Sequence, residues 1–329
     1  MHRVIAMSML GGGRFSTADV RFEPGEAAGE ADRLVATLRE VVLGRLRRRG
    51  GVVWLSGAVE SAVVAALCER AFGRGRVLGL FMTDAETPPE QVRRARQLAA
   101  HLRIRTADEP LTPALAAIGC YRRRDAAIRT VVPEFGEGWS CTITVPNVFD
   151  NDLLRLFTLV VRAPDGTERS VELSLETYLE ISAATGFKQR IRKSIEYFHA
   201  DRSRYAVVGT TNLLEYDQGL FVKHGDGAAD VKPIAHLYTT QILQLAEQLG
   251  LPDELRVSSR PRALDERALG CEQMDACLYA RDRGIPAGEV AEVLGLSVDQ
   301  VERVFHDIDA KRAAARYLHA RPILFGGGR

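Results

Sequence analysis

The stretch that most constrains this chain is Tyr205 to Gln241, YAVVGTTNLLEYDQGLFVKHGDGAADVKPIAHLYTTQ. It opens on a short apolar run, Tyr205 to Val208, that stops at Gly209 and Thr210. This is the pattern of a buried parallel strand delivering its loop to the carboxyl edge of a sheet, where α/β folds place ligands. The loop carries Thr210, Asn212, Glu215, Asp217, Lys223, His224, Asp226 and Asp230, while Gly219, Gly225 and Gly227 allow tight backbone paths. Such a loop, running on to a helix near Ile234 to Leu249, is either an exposed connection or a site. The density of carboxylates favours a site for a metal and a phosphate-bearing ligand, because like charges crowded together repel without one.

The rest of the composition narrows the class. With 329 residues, 46% hydrophobic and 26% charged, the chain has the make-up of a soluble globular protein with a substantial core. Its net charge of +1 gives no electrostatic argument for nucleic acid or an acidic membrane surface. The five cysteines, Cys68, Cys120, Cys141, Cys271 and Cys277, show no CxxC spacing and read as reduced thiols of a cytoplasmic protein. Val4 to Leu10 is apolar but too short to span a bilayer. The seven histidines form no spaced metal cluster, and only His224 falls inside the dense loop.

Read in order, Glu26 to Arg49 predicts one long amphipathic helix, with Leu34, Leu38, Val41, Val42 and Leu46 on its apolar face. Gly51 to Gly57 is a strand running into an apolar helix, and further strands are expected at Val77 to Met82 and Ile104 to Ala107, with a helix from Glu90 to Leu102 between them. Strand, helix, strand at this spacing indicates an α/β protein with a doubly wound parallel sheet. Ala114 to Val132 reads as helical. Asp165-Gly166 between two alternating runs, Phe157 to Val161 and Ser170 to Leu173, predicts an inserted β hairpin. On the helix Leu175 to His199, Ile191, Ile195 and Phe198 are expected to face the core, leaving Lys188, Arg190, Arg192 and Lys193 outside. The division expected is a helical segment over 1–50, an α/β domain over 51–270 and a helical appendage over 271–329. In the appendage, Gly295 ends one helix and Ser297 caps the next.

GTTNLLEYDQGLFVKHGDGAADVKPIAHLYTTQ resembles the signature of the NAD synthetase family, ATP pyrophosphatases with an adenine nucleotide alpha-hydrolase-like fold. The likeness rests on Gly209-Thr210, on Glu215 five positions after that Thr, and on the Lys223 to Asp230 run, and it extends from about Gly51 to Leu251. It implies a ligase that adenylates a carboxylate, deamido-NAD or another acid, and lets ammonia displace AMP. By the same resemblance, Ser56, Gly57, Val59 and Ser61 form the loop that wraps the ATP phosphates, with Arg190 (or Arg192) and Thr210 as further ATP contacts. Glu60 and Glu215 hold magnesium and join Asp226 in catalysis, while Lys223, Asp226 and Asp230 line the second substrate's site. Thr83 and Asp84 are candidates for the adenine and ribose. A homodimer is implied, with nitrogen arriving as free ammonia or from a separate glutaminase.

Four departures from the family pattern stand out. Ala58 replaces a glycine, Glu60 an aspartate and Thr239 a lysine nine positions after Asp230, and the stretch from Leu255 to Glu272 is short. All are expected to touch the ATP phosphates, so a weakened or inactive subunit acting through a partner is an alternative reading. A helix-turn-helix DNA-binding reading of the appendage is a second, disfavoured by Glu302, Asp307 and Asp309 on its second helix.

Overall fold

The computed structural model describes residues 14–144, 157–257 and 269–325. In chain order the first half contains α1 (Glu26–Leu38), β1 (Gly51–Trp54), α2 (Val59–Phe72), β2 (Val77–Thr83), α3 (Pro89–Leu102), β3 (Arg105–Pro110), α4 (Thr112–Ala117) and α5 (Cys120–Arg129). There follow β4 (Ser140–Thr144), β5 (Thr158–Arg162), β6 (Glu168–Glu172), α6 (Leu175–Ser203), β7 (Ala206–Val207), α7 (Leu213–Gln218) and α8 (Thr239–Gln248). The last helices are α9 (Cys271–Arg283), α10 (Ala287–Leu294) and α11 (Val298–His319).

The central sheet has the order β3-β2-β1-β7 and every pairing in it is parallel. Because successive side chains of a strand point to opposite faces, one strand feeds two cores. Val53 and Phe81 pack with residues of α1, α2 and α8, whereas Val52, Leu78 and Leu80 pack with Leu115, Cys120 and Ala200 on the other face. The sheet is therefore covered on both sides, as the near-continuous apolar strands required.

Several boundaries differ from expectation for local reasons. The long helix over Glu26 to Arg49 gives way at Arg39 to a π-helical stretch, and Arg47 turns left-handed at φ 52°. The helix over Ala114 to Val132 is divided at Gly119, whose φ of 75° breaks α4 from α5. The helix expected from Ile234 starts only at Thr239, where Gln241 Oε1 accepts the Tyr238 N–H at 3.1 Å and caps it. The predicted hairpin is present as β5 and β6, with Gly166 at φ 86° in its turn, but β4 pairs antiparallel with β5 and makes a three-stranded sheet.

The reading of α6 needs correction. Ile191 and Ile195 do pack toward the sheet, but Phe198 is 58% exposed and Lys193 is buried. At the other end, Val290, Val301, Val304, Phe305 and Ile308 bury together with α9, as expected of a packed helical segment. Arg312 of α11 ties this segment to the loop after β7, reaching Asp217 and Asp282 at 2.7 Å each. Among the described residues no helix is long and apolar enough to cross a membrane.

Near the start of α1, Glu30 pairs with His236 at 2.8 Å and with Arg33. Burial pushes the Glu30 carboxyl up, but hydrogen bonds from His236 and Arg33 outweigh it and leave the group at about 2. A carboxyl depressed on folding stabilises above its unfolded value, so this contribution is full above pH 4.5 and is lost as pH falls towards 2. With Arg33 56% and His236 48% exposed, solvent screening holds it to about 1 kcal/mol. Glu30→Gln is expected to lower stability by that amount at pH 6 and by only about a quarter of it at pH 2.5, as urea unfolding at the two pH values would measure.

Candidate functional site

β1 and β7 lie side by side, Gly51 opposite Ala206 and Val52 opposite Val207, so their next loops leave the same sheet edge together. Between these loops and α6 lies a cleft of about 330 Å3, lined among others by Ser56, Gly57, Glu60, Lys193, Thr210, Glu215 and Asp226. A neighbouring cavity of about 450 Å3 lies beside β2 and includes Thr83, Asp84, Lys188 and, from the inserted sheet, Trp139, Ser140 and Cys141. Trp54, Ser56, Gln91 and Arg192 belong to both, so the two adjoin.

The turn after β1 is built on one glycine. Gly57 has φ 80°, and a Cβ there would meet the Gln91 carbonyl oxygen at 2.3 Å. Ala58 sits at φ −103°, an ordinary extended conformation, so the replacement of glycine at this position carries no backbone strain. The Ser56 hydroxyl bonds Ser61 Oγ at 3.1 Å and accepts the Ala58 N–H at 3.3 Å. Ser61 Oγ in turn donates to the Ala58 carbonyl at 2.8 Å. The Val59 N–H donates to the Val257 carbonyl at 2.8 Å, so this amide already has an acceptor; of the four loop residues named from sequence, Ser56 and Gly57 line the cleft.

Asn212 joins the two carboxylates expected to hold metal. Its Oδ1 accepts the Glu215 N–H at 2.9 Å, and its Nδ2 reaches Glu60 Oε1 at 3.5 Å. Glu215 answers by accepting the Asn212 N–H at 3.1 Å, a capping box that fixes α7 and the direction of the Glu215 side chain. Glu60 is 3% exposed in the first turn of α2. Two hard carboxylates held beside a phosphate-sized cleft suit magnesium, which takes one or two carboxylates and fills its other positions from phosphates and water.

Lys188, Arg192 and Lys193 of α6 line these cavities. Lys193 forms a buried pair with Glu196 at 2.8 Å, and burial pushes the Glu196 carboxyl up despite it. The Arg192 guanidinium lies over the Trp54 ring at 4.0 Å. Lys188 bonds Asp84 at 3.2 Å and Glu86 at 2.5 Å, and Glu86 also pairs with Arg124. Burial raises the Glu86 carboxyl, yet these two cations outweigh it and hold the group below its usual value.

Other sequence expectations fall away from the cleft. Arg190 is exposed and donates to the Lys223 carbonyl at 3.3 Å, so Arg192 takes the place given to it. Lys223 Nζ donates to the Tyr317 carbonyl at 2.8 Å and lies 4.1 Å from the Tyr317 ring centre, which ties it to α11. Asp230 accepts the Val207 N–H at 2.8 Å and shapes the strand end. Asp226 alone of those three lines the cleft, its loop held by Gln189, whose Oε1 accepts the Val222 N–H at 2.9 Å and the Asp226 N–H at 3.2 Å. His224 is left-handed at φ 62° and lines neither cavity. Thr239 is buried in the first turn of α8 and also lines neither cavity. The shortened loop between Leu255 and Glu272 falls largely outside the described residues.

Sequence reasoning missed Lys232. It lines a third cavity, of about 540 Å3, with Tyr216, Phe221, Asp230, His236 and His319. Burial pushes its amine down to about 8; Lys193 acts in the same direction, and Asp226 and Glu215 oppose it. The only signal was its place two residues after Asp230, inside the signature itself.

The sequence pattern of the NAD synthase family matches residues 30–131 and 167–315. This chain belongs to the NAD synthase family. The unmatched interval contains β4 and β5, whereas β6 falls inside the matched residues. An NH(3)-dependent NAD(+) synthetase of Mesorhizobium japonicum is 51% identical to this chain over 310 residues, covering 91% of it and 97% of the relative. That of Rhizobium rhizogenes is 46% identical, covering 91% and 93%. The solved NH3-dependent NAD synthetase from Campylobacter jejuni shares the fold, with a TM-score of 0.61 at 18% identity over 91% of this chain and 99% of that one.

The phosphate turn gives a paired test. Gly57→Ala places a methyl group against the Gln91 backbone at a positive φ and is expected to destabilise the protein by roughly 1–3 kcal/mol and to weaken ATP binding at least tenfold. Ala58→Gly is expected to leave ATP affinity within about twofold, since no strain is relieved at φ −103°. Thermal unfolding and calorimetric titration with ATP would measure both.

Proposed function

We propose that this member of the NAD synthase family is an ammonia-dependent ligase that uses ATP to convert the carboxylate of deamido-NAD to an amide, releasing pyrophosphate and AMP. The observation that carries this reading is the Asn212 bridge between Glu60 and Glu215 beside the Ser56-Gly57 turn, in a chain half identical to an NH(3)-dependent NAD(+) synthetase. A carboxylate oxygen attacks the α-phosphorus of ATP and pyrophosphate leaves. Ammonia then attacks the acyl carbon, and AMP departs with the electron pair of the broken C–O bond.

This chain's residues have definable parts in that sequence. The apolar and polar wall of β2 and the inserted sheet, with Thr83 and Asp84, takes the nucleoside, and Ser56, Gly57 and Thr210 face the phosphates. Arg192 and Lys193 supply fixed positive charge where the α-phosphate becomes crowded, in a site whose donors need no reorganisation. Asp226 lines the same cleft and accepts a hydrogen bond, then a proton, from the attacking ammonia. Glu60 and Glu215 would hold magnesium, which when bound would neutralise the triphosphate and the departing pyrophosphate. The working form is a homodimer, a reading supported by Leu175 and Leu179, 67% and 54% exposed one turn apart on α6.

The test is pyrophosphate release from ATP, magnesium and ammonium with and without deamido-NAD. Release dependent on deamido-NAD is expected, falling about 100- to 1,000-fold in Glu60→Gln and in Glu215→Gln. Chelation of magnesium is expected to abolish it. No release from a protein shown to be folded would overturn the reading and favour the inactive-subunit alternative.

A further inference from the structure

The family pattern asks for a cation at position 239, and Thr239 cannot supply one. A buried cation nevertheless stands on the same segment. Lys232 Nζ is shielded from solvent and makes no hydrogen bond among the described residues. It lies 4.9 Å from the Tyr216 ring centre and 5.0 Å from that of Phe221. Ring faces soften the burial of an ammonium but accept no hydrogen bond of full strength, so the group retains three donors for an anion.

The stem of Lys232 passes the end of β7 on the side of the reaction cleft. A Cβ on Gly209 would meet Lys232 Cγ at 3.1 Å, and Gly209 lines the cleft beside Thr210. Phe221 lines both the cleft and the third cavity, so the ammonium sits in the wall between them. Its charged neighbours are Asp226 and Glu215, which draw it, and Lys193, which repels it; all three line the cleft. An unpaired buried ammonium costs free energy that an incoming anion recovers, and the anion available at this wall is the acyl phosphate.

We propose that Lys232 is a catalytic residue of this chain, its ammonium pairing with the α-phosphate of the acyl-adenylate and of departing AMP in place of the cation missing at position 239. This rests on reading the cleft as the adenylating site. Between Asp230 and the first turn of α8 the segment carries one lysine, Lys232, and Thr239 supplies no cation.

The experiment compares wild type, Lys232→Met and Lys232→Arg by steady-state amidation of deamido-NAD, AMP titration calorimetry and thermal unfolding. Methionine keeps the shape of the stem and removes the charge, so Lys232→Met is expected to melt no lower than wild type. Its kcat is expected to fall about 100-fold and its AMP affinity about tenfold. Lys232→Arg is expected to recover most of both. Unchanged AMP affinity in Lys232→Met would overturn the proposal, and unchanged AMP affinity with weakened deamido-NAD affinity would assign Lys232 to the carboxylate instead. A fall in kcat matched by an equal loss of folded protein would likewise reduce Lys232 to a structural role. AMP binding needs no turnover, so Lys232-dependent AMP affinity in a protein that fails to amidate deamido-NAD would sink the function reading and leave the Lys232 assignment standing.

Discussion

The parallel pairing of β1 with β7 is the constraint on which the site depends. Gly51 registers with Ala206, and the Val208 N–H donates to the Val52 carbonyl at 3.0 Å, so two strands far apart in sequence end at the same sheet edge. One releases the Gly57 turn and the first turn of α2, the other the Thr210 to Glu215 loop. Asn212 then reaches across the gap, closing its own helix cap with one side-chain atom and holding Glu60 with another. Two carboxylates that would repel in isolation are thereby fixed near each other before any ligand arrives. Such preorganisation means that the protein, and not an incoming ligand, meets the cost of assembling the charges.

Much of this was legible in the sequence, because the elements that carry it obey local rules. The apolar strands, Ser297 and Gly295 at helix ends, and the Asp165-Gly166 turn all lie where single-residue preferences and periodicity place them. The failures share a cause. Reading α6 by amphipathicity assumed that apolar residues face inward and cations outward, whereas this helix lies over a polar cleft. Its inward face therefore includes Lys188, Arg192 and Lys193, each with an acidic or aromatic partner, while Phe198 is left at the surface. Lys223 and Asp230 lie off this cleft for another reason: residues within one signature run can serve the backbone as readily as the ligand. Asp230 takes up the Val207 N–H and Lys223 the Tyr317 carbonyl, contacts made with partners that no local pattern names.

The departures from the family pattern also prove to be of different kinds. Ala58 is neutral because the left-handed residue of the turn is Gly57, and glycine was kept there. Glu60 keeps the charge and gains a partner in Asn212 that fixes its longer side chain. Thr239 is buried in the first turn of α8, where the neighbouring Thr240 N–H donates to Asp275 Oδ2 at 2.9 Å. Among the described residues, Ala58, Glu60 and Thr239 thus occupy three different settings.

The insertion follows the same logic of position. It enters between α5 and α6, and Leu159, Val161 and Leu173 form one small core with Ile128 of α5 and Ile181 of α6. Once in place it presents Trp139, Ser140 and Cys141 to the cavity beside β2, so a face that the family core alone would leave open acquires an apolar wall. That wall stands beside the cleft, because Trp54, Ser56, Gln91 and Arg192 line both cavities. An element at the edge of the fold thereby contributes side chains to the cavity that adjoins the site at its centre.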